Sequence, residues 1–599
     1  MMKYFLLILL GLLPFSSSSW AEEDEEINTI VITGSRTGLD LIQPTSRYVL
    51  TESEIEKSTA SDLTQLLGQI PSVSIEQQGS RGSLSAVRIR GTESDHALVL
   101  VNGVRFASAS SGATALQFIP INQISRIEVI KGPRSGIYGS EAIGGVIQIF
   151  TKKGEGSKNA YVETGIGSHN TQSISSGFND SNKNSYYSVS VGYLDSDGID
   201  STKNNSGADR DRDAFDEKNI SLNLGKVADN QSKIDFTYFS NEGTNEFDNT
   251  TEGAKTNFKI ESFNLGGDFP LSKSINFNFG VNRFTDDQKT LGGYPSVFKT
   301  KRLGATTFLN FDLGKNQSLI AGLNFYDDSV DGTGDFSQSE RANKAGFIEY
   351  GLANSFFNVQ LALRQDDTEK AKKNTSGSFN LSIPAGIHTL LFSYGEAFKL
   401  PTFNDLYFSD GYYTGNPELE PEEAESIEVG YINDNGLVDF SISVYKTKIK
   451  NLIETNQAFT TVENISRAEL IGVESSAYTV VEDWGIGLIY SYVDTENEDT
   501  GERLTRRPAS SARLDIDRAF GEIDLLLSWK YESDRKQSNK TKTGSFDLID
   551  IKGIYTANKH SKIKLTVKNI FDEDYTLVQG FQTYRTEGRT AEIAYRYTF

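Results

Sequence analysis

Five aspartates are the residues best placed for chemistry. Asp200, Asp209, Asp211 and Asp213 lie in the run "DSDGIDSTKNNSGADRDRDAFDEK", and "NEFDN" supplies Asp248. Carboxylate oxygens on neighbouring loops are hard ligands of the kind Ca²⁺ takes, about six to eight to an ion. The glycine of "DSDGID" comes too early for an EF-hand loop. The same run also reads as a solvated acidic loop, which charge runs usually are. Little else suggests reaction chemistry: there are no cysteines, and the four histidines, His96, His169, His388 and His560, sit in no HExxH motif. No GxSxG motif is present either, and each histidine reads as a lone surface or loop residue. The expectation is a binding protein and not an enzyme. A formal net charge of -22 would repel nucleic-acid phosphates, so no nucleic acid is expected as partner.

Loops need strands to hold them, and from about residue 160 onward strands recur. In "YSVSVGY" Tyr187, Val189, Val191 and Tyr193 share one face while Ser188, Ser190 and Gly192 take the other. "FNFGV" and "DFSISVYK" repeat the pattern, with Phe277, Phe279 and Val281, then Phe440, Ile442 and Val444, on the apolar side. Period two with one apolar face marks a half-buried strand. A soluble sandwich would alternate likewise. The Ser, Asn, Gly and Gln polar side, the aromatic strand ends and the lack of domain linkers favour a membrane barrel, apolar outward and polar toward its lumen. At roughly 20 residues per strand and connection, residues 154–599 give about 22 strands, wide enough to need a plug. The final "EIAYRYTF" puts Ile593, Tyr595, Tyr597 and Phe599 on one face.

The residues before the barrel follow other rules. Lys3, the apolar "YFLLILLGLLPF" and "SWA" ending at Ala21 form a signal peptide over 1–21. In segment 22–44 the acidic "EEDEE" precedes Thr29, Ile30, Val31, Ile32 and Thr33, a β-rich stretch that wants a partner strand. Residues 45–153 read as a mixed α/β domain: a helix in "ASDLTQLLGQIP" with Ser61 as N-cap and Pro71 closing it, then strands in "SAVRIRG", "ALVLVNGVRF", "ISRIEVIKG" and "GVIQIFTKK". Leu63, Leu66, Leu67 and Ile70 form the helix's inner face. The expected fold is thus a 22-stranded antiparallel transmembrane β-barrel with an N-terminal α/β plug inside.

Several motifs, in order, carry a resemblance. "VRIRG" (87–91), "VNGVR" (101–105) and "IEVIKGPRSGIYGSEAIGGVIQIFTKK" (127–153) are followed in the barrel by "FKLPTFNDLY" (398–407), "GNPELEPEEAESIEVGY" (415–431) and "NIFDEDY" (569–575). They resemble those of TonB-dependent outer-membrane receptors over essentially the whole mature chain. Arg134 and Glu141, within the plug motif, are charges that an enclosed plug must pair or hydrate. The resemblance makes "TIVIT" (Thr29–Thr33) a TonB box, which adds a strand to the energy-transducing protein TonB; a plain first plug strand is the other reading. It also implies a monomer set in outer-membrane lipid and lipopolysaccharide, with the proton gradient as energy source.

Within the family, the plug run "GSLSAVRIRGTESDHALVLVNGVRF" (82–106) and the ending "YTLVQGFQTYRTEGRTAEIAYRYTF" are most similar to cobalamin (vitamin B12) receptors. That likeness implies a cobalamin or related corrinoid cargo. It also implies calcium on Asp200, Asp209, Asp211, Asp213 and Asp248, with Phe247 where the relatives carry tyrosine. Cargo contacts fall at Leu84, Ala86, Glu93, Thr500 and Arg535; Ala86 and Glu93 replace a serine and an asparagine. A ferric-siderophore or haem receptor is the alternative cargo class, although haem would call for a histidine pair in a barrel loop. A passive porin or adhesin barrel is the alternative from another class, and it would need neither plug nor box.

Overall fold

A computed structural model describes residues 46–154, 158–203, 210–248, 253–369, 371–456, 458–537, 541–580 and 582–599. Twenty-two antiparallel strands, from Asn159–Gly167 to Thr590–Thr598, form a closed barrel. Closure is direct: Tyr161–Gly167 lies opposite Glu592–Thr598 in antiparallel register. No helix among the described residues is long and apolar enough to cross a membrane, so the crossing elements are the strands. As the alternation predicts, Tyr187, Val189, Val191 and Tyr193 are exposed on the outer wall, while Ser188 and Ser190 are buried toward the lumen. The terminal Ile593, Tyr595, Tyr597 and Phe599 also face outward. One rim carries short turns, such as residues 183–184 and 273–274, and the other carries the long connections 400–421 and 569–589. In outer-membrane barrels these are the periplasmic and extracellular rims.

The plug fills the lumen with a five-stranded sheet in the order β1-β6-β7-β4-β5. Its strands are β1 (Arg47–Thr51), β4 (Ala97–Val101), β5 (Val104–Arg105), β6 (Ile124–Lys131) and β7 (Gly145–Thr151); β2 (Val73–Gln77) and β3 (Ser85–Ile89) form a separate hairpin. Two short helices, α1 (Glu52–Lys57) and α2 (Leu63–Leu67), connect β1 to the hairpin. Leu63, Leu66, Leu67 and Ile70 are buried as expected, but the N-cap is Asp62, whose carboxylate accepts the Gln65 N–H at 2.8 Å. Ser61 instead donates its hydroxyl to the Gln65 side chain. A carboxylate also suits the positive end of a helix better than a hydroxyl does. The helix stops at Gly68, before Pro71.

Three arcs of the barrel wall grip the plug in different ways. Phe106 and Phe118 pack on the wall aromatics Phe215, Phe239, Phe258 and Phe284, with the Phe118 and Phe258 rings stacked at 3.7 Å. The turn α3 (Ser135–Tyr138) lies so close to the strand Asn374–Ala385 that a Cβ on Gly136 would meet Gly377 Cα at 3.4 Å. On the third arc, buried Arg90 donates both Nη groups to Glu428 at 2.9 Å, reaches Glu474 at 2.7 Å and lies 4.2 Å over the Tyr445 ring. Lys131 adds a bond to Glu474 at 3.1 Å. Of the two charges expected to need partners, Glu141 pairs with Arg105 at 3.4 Å and Arg134 is hydrogen-bonded to Lys131 O and to Asn380.

Removing one partner of a buried ion pair costs far more than the pair contributes net, because the other charge stays buried and uncompensated. Arg90→Ala leaves Glu428 without its ion pair and Glu474 with Lys131 only. Plug docking is expected to weaken by roughly 3–5 kcal/mol, read as earlier plug unfolding in calorimetry, while the heat-modifiable mobility of the barrel stays normal.

Candidate functional site

The plug's extracellular face is built on the β2–β3 hairpin. Its tip, Gln78–Leu84, reaches the rim and leaves Leu84 59% exposed. Leu84 and Ala86 line a recess of about 200 Å³ together with Glu76, Arg88 and Arg506. Beneath it runs a chain of charges: Arg88 to Glu76 at 2.6 Å, Glu76 to Arg506 at 2.9 Å, and Arg88 to Glu93 at 3.8 Å. Glu93 also bonds Arg507, whose Nε donates to Gly91 O at 2.5 Å. Burial pushes the Glu93 carboxyl up, and the adjacent Arg507 and Arg88 outweigh it, holding it at about 2. Glu93 is therefore held as an anion, masked by arginines.

Leu84, Ala86 and Glu93 thus share one face. Thr500 is exposed in the turn after the strand Trp484–Asn497. Arg535 is different: it is 1% exposed, donates to Ile75 O at 2.6 Å and bonds Glu532, so it fastens a barrel loop to the plug. The loop arginines Arg506 and Arg507 were missed, although a basic "LTRRP" within a long connection is a visible signal. His96, read as a lone surface or loop residue, is fully buried, and its Nε2 lies 2.7 Å from Glu422, itself 3.4 Å from Lys399. Its barrel partner is 326 residues away, beyond any local pattern.

On the neighbouring loops, carboxylate oxygens of Asp211, Asp213 and Asp248 lie within 4.8 Å of one another. Both Asp248 oxygens are buried without a hydrogen bond of full geometry. Burial raises the Asp248 pKa, and the nearby charges of Asp200 and Asp211 add to the shift, against Thr202. Three converging carboxylates, two of them buried, fit a hard divalent cation. Asp200 does not join the trio: it pairs with Arg585 at 3.0 Å. Asp209 and the TonB-box residues Thr29–Thr33 lie outside the described residues.

Arg585 belongs to a clasp between the acidic loop and the last long connection. Its N–H donates to Ser201 O at 2.8 Å, Lys203 N donates to Thr583 O at 2.8 Å, and Lys203 Nζ reaches Asp574 at 2.5 Å. The same connection meets the plug, since Arg81 N donates to Glu587 at 3.2 Å.

Two family models match: TonB-dependent receptor plug domain over residues 41–146 and TonB-dependent receptor-like β-barrel over 159–570. The chain belongs to the TonB-dependent receptor family. It is an outer-membrane protein of a family of receptors and transporters, whose members depend on TonB and take small-molecule cargo. Vitamin B12 transporter BtuB of Photobacterium profundum is 28% identical to it across the full length of both chains. BtuB of Vibrio vulnificus is 28% identical over 96% of this chain and 97% of its own. Among solved structures, the siderophore receptor PirA of Acinetobacter baumannii superposes with a TM-score of 0.80 at 19% identity, over 94% of this chain and all of that one. The ferric enterobactin receptor PfeA of Pseudomonas aeruginosa gives 0.79 at 18%, over 95% of this chain and all of that one. These structural likenesses speak for the fold alone.

The depressed Glu93 pKa sets a pH window. Because the carboxyl titrates lower in the folded receptor than at its ordinary 4.5, its stabilising effect is complete above that pH and is lost as pH falls toward 2. Glu93→Gln should therefore loosen the loop holding Arg507 at pH 7, measured as faster proteolysis there, and should match the parent receptor near pH 2 in a pH-matched unfolding assay.

Proposed function

We propose that this receptor imports cobalamin or a related corrinoid across the outer membrane, driven through TonB, with calcium ordering its extracellular loops. The carrying observation is the full-length likeness to vitamin B12 transporters, end to end in both chains, at 28% identity. The acidic trio supports the loop-ordering part. Asp211, Asp213 and Asp248 would hold the ion through carboxylate oxygens, and what it supplies is positive charge. Without a cation these side chains repel one another across short distances. With one, loops from adjacent hairpins settle before cargo arrives, so less ordering cost falls on cargo binding.

Cargo then rests on Leu84 and Ala86 beside the arginine-masked Glu93, with Thr500 on the neighbouring loop. Arg535 serves from below, by holding the hairpin that carries the recess. The segment Thr29–Thr33 serves as the TonB box, lying ahead of β1, the first described strand. Proline at Ile30 or Val31 would remove a backbone donor and fix φ, blocking strand addition.

Titration of the purified receptor with cyanocobalamin, with and without a calcium chelator, tests the cargo and ion together. Chelation should weaken binding at least tenfold, and joint Asp211→Ala and Asp213→Ala substitution should reproduce that loss in calcium. Binding of a ferric siderophore in place of cyanocobalamin would overturn the cargo. Affinity indifferent to chelator and substitution would return the aspartates to a solvated loop. Uptake should also vanish in cells lacking TonB and with Ile30→Pro, while surface binding persists.

A further inference from the structure

Three arcs of the wall pack closely on the plug, and the fourth leaves a polar gap. Between plug and wall, on the arc where the barrel closes on itself, lies a cavity of about 580 Å³. It touches the last strand from Thr590 to Thr598 and the first from Asn159 to Gly167, as well as the extracellular turn at Ser168 and His169. It therefore follows the wall from rim to rim. A second cavity, of about 570 Å³, meets the wall near the short-turn rim, at residues such as Ile432, Asp439, Ser476 and Asp524.

The charge of this gallery is unlike that of the whole chain. Seven lysines and arginines face five glutamates along its described lining, in a protein of net charge -22. Its cations climb one wall, and several of them hold a single stretch of the plug. Lys562 and Lys564 reach Glu56 at 3.0 and 3.9 Å, Lys552 donates to Ser58 O at 2.5 Å, and Lys568 donates to the Ser61 hydroxyl at 2.7 Å. Arg596, by contrast, lies 4.1 Å over the Tyr161 ring. Glu56 and its two lysines are partly exposed, so solvent screens these pairs more than it screens the buried Arg90 cluster on the far arc. At its outer end the gallery is lined by Arg81, in the hairpin tip that also carries Leu84.

We propose that cargo crosses the barrel along this seam gallery, with the stretch Glu52–Ser61 withdrawing from the lysine wall to widen it and the wall favouring cargo that carries negative charge. The inference rests on the import reading for what is carried, and on the cavity, its contacts and its charge for the route. As it stands the gallery has the volume of a pocket for a drug-sized ligand. A corrinoid is larger, so the stretch must move. Its contacts are with long, flexible lysine side chains, which release by exchange with water. A cobalamin's phosphodiester is the kind of anionic group such a wall attracts.

The absence of cysteines from the chain allows a clean test. In Ala594→Cys, placed on the gallery wall, a bulky maleimide should cut cyanocobalamin uptake at least tenfold while surface binding is unchanged. The pair Gly136→Cys and Gly377→Cys, oxidised to fix α3 to the opposite wall, should import normally, with the reduced pair as its own folding control. In whole cells a sulfonate thiosulfonate reagent should modify Ala594→Cys several-fold faster than its trimethylammonium counterpart. Full uptake through labelled Ala594→Cys, or loss of uptake only on oxidising the α3 pair, would overturn the route, and faster cationic modification would overturn the charge preference. An unlabelled receptor that imports no cyanocobalamin would sink the cargo reading instead, while the reagent rates would still judge the gallery.

Discussion

Everything in this receptor follows from the need to satisfy backbone hydrogen bonds in hydrocarbon. Strands can do so only if the sheet has no edge, and the register of Tyr161–Gly167 against Glu592–Thr598 removes the last one. Twenty-two strands closed in this way enclose a lumen too wide for side chains to fill, and the period-two pattern makes its wall polar. The occupant must therefore be a folded domain whose surface answers a polar wall. Arg90 between Glu428 and Glu474 is that answer in its most concentrated form.

The barrel was legible because its signal is local. Alternation in "YSVSVGY" or "EIAYRYTF" needs no knowledge of what lies opposite, and the plug strands announced themselves by short apolar runs between glycines. The gathering of the aspartates was legible in part: Asp211, Asp213 and Asp248 converge, whereas Asp200 is drawn to Arg585, a residue 385 positions later. His96 and Arg535 escaped for the same reason, since a side chain's burial depends on partners that the fold brings from far along the chain. The choice of Asp62 over Ser61 as N-cap was a finer failure, with two good capping residues side by side and only the start of the turn to separate them.

Charge is distributed by function as well as by sign. The buried Arg90 cluster fixes the plug, the arginine-paired Glu93 lies on the plug's outer face, and Asp211, Asp213 and Asp248 converge in the loops above. Exposure does not rise evenly from tier to tier: Asp213 and Asp248 are buried in the loops, while Glu93 below them is partly exposed. The clasp from Arg585 and Lys203 bridges the upper tiers, joining the acidic loop to a connection that also touches the plug.

The seam has a consequence for how the molecule is made. Its two strands are the first and last of the barrel, so the wall stays open along one edge until the final nine residues arrive. An unpaired edge of that kind is a ready template for wrong partners. The plug precedes every barrel strand in the chain, and the closed wall surrounds it. The side of the wall that the first and last strands close is thus the side that carries the gallery.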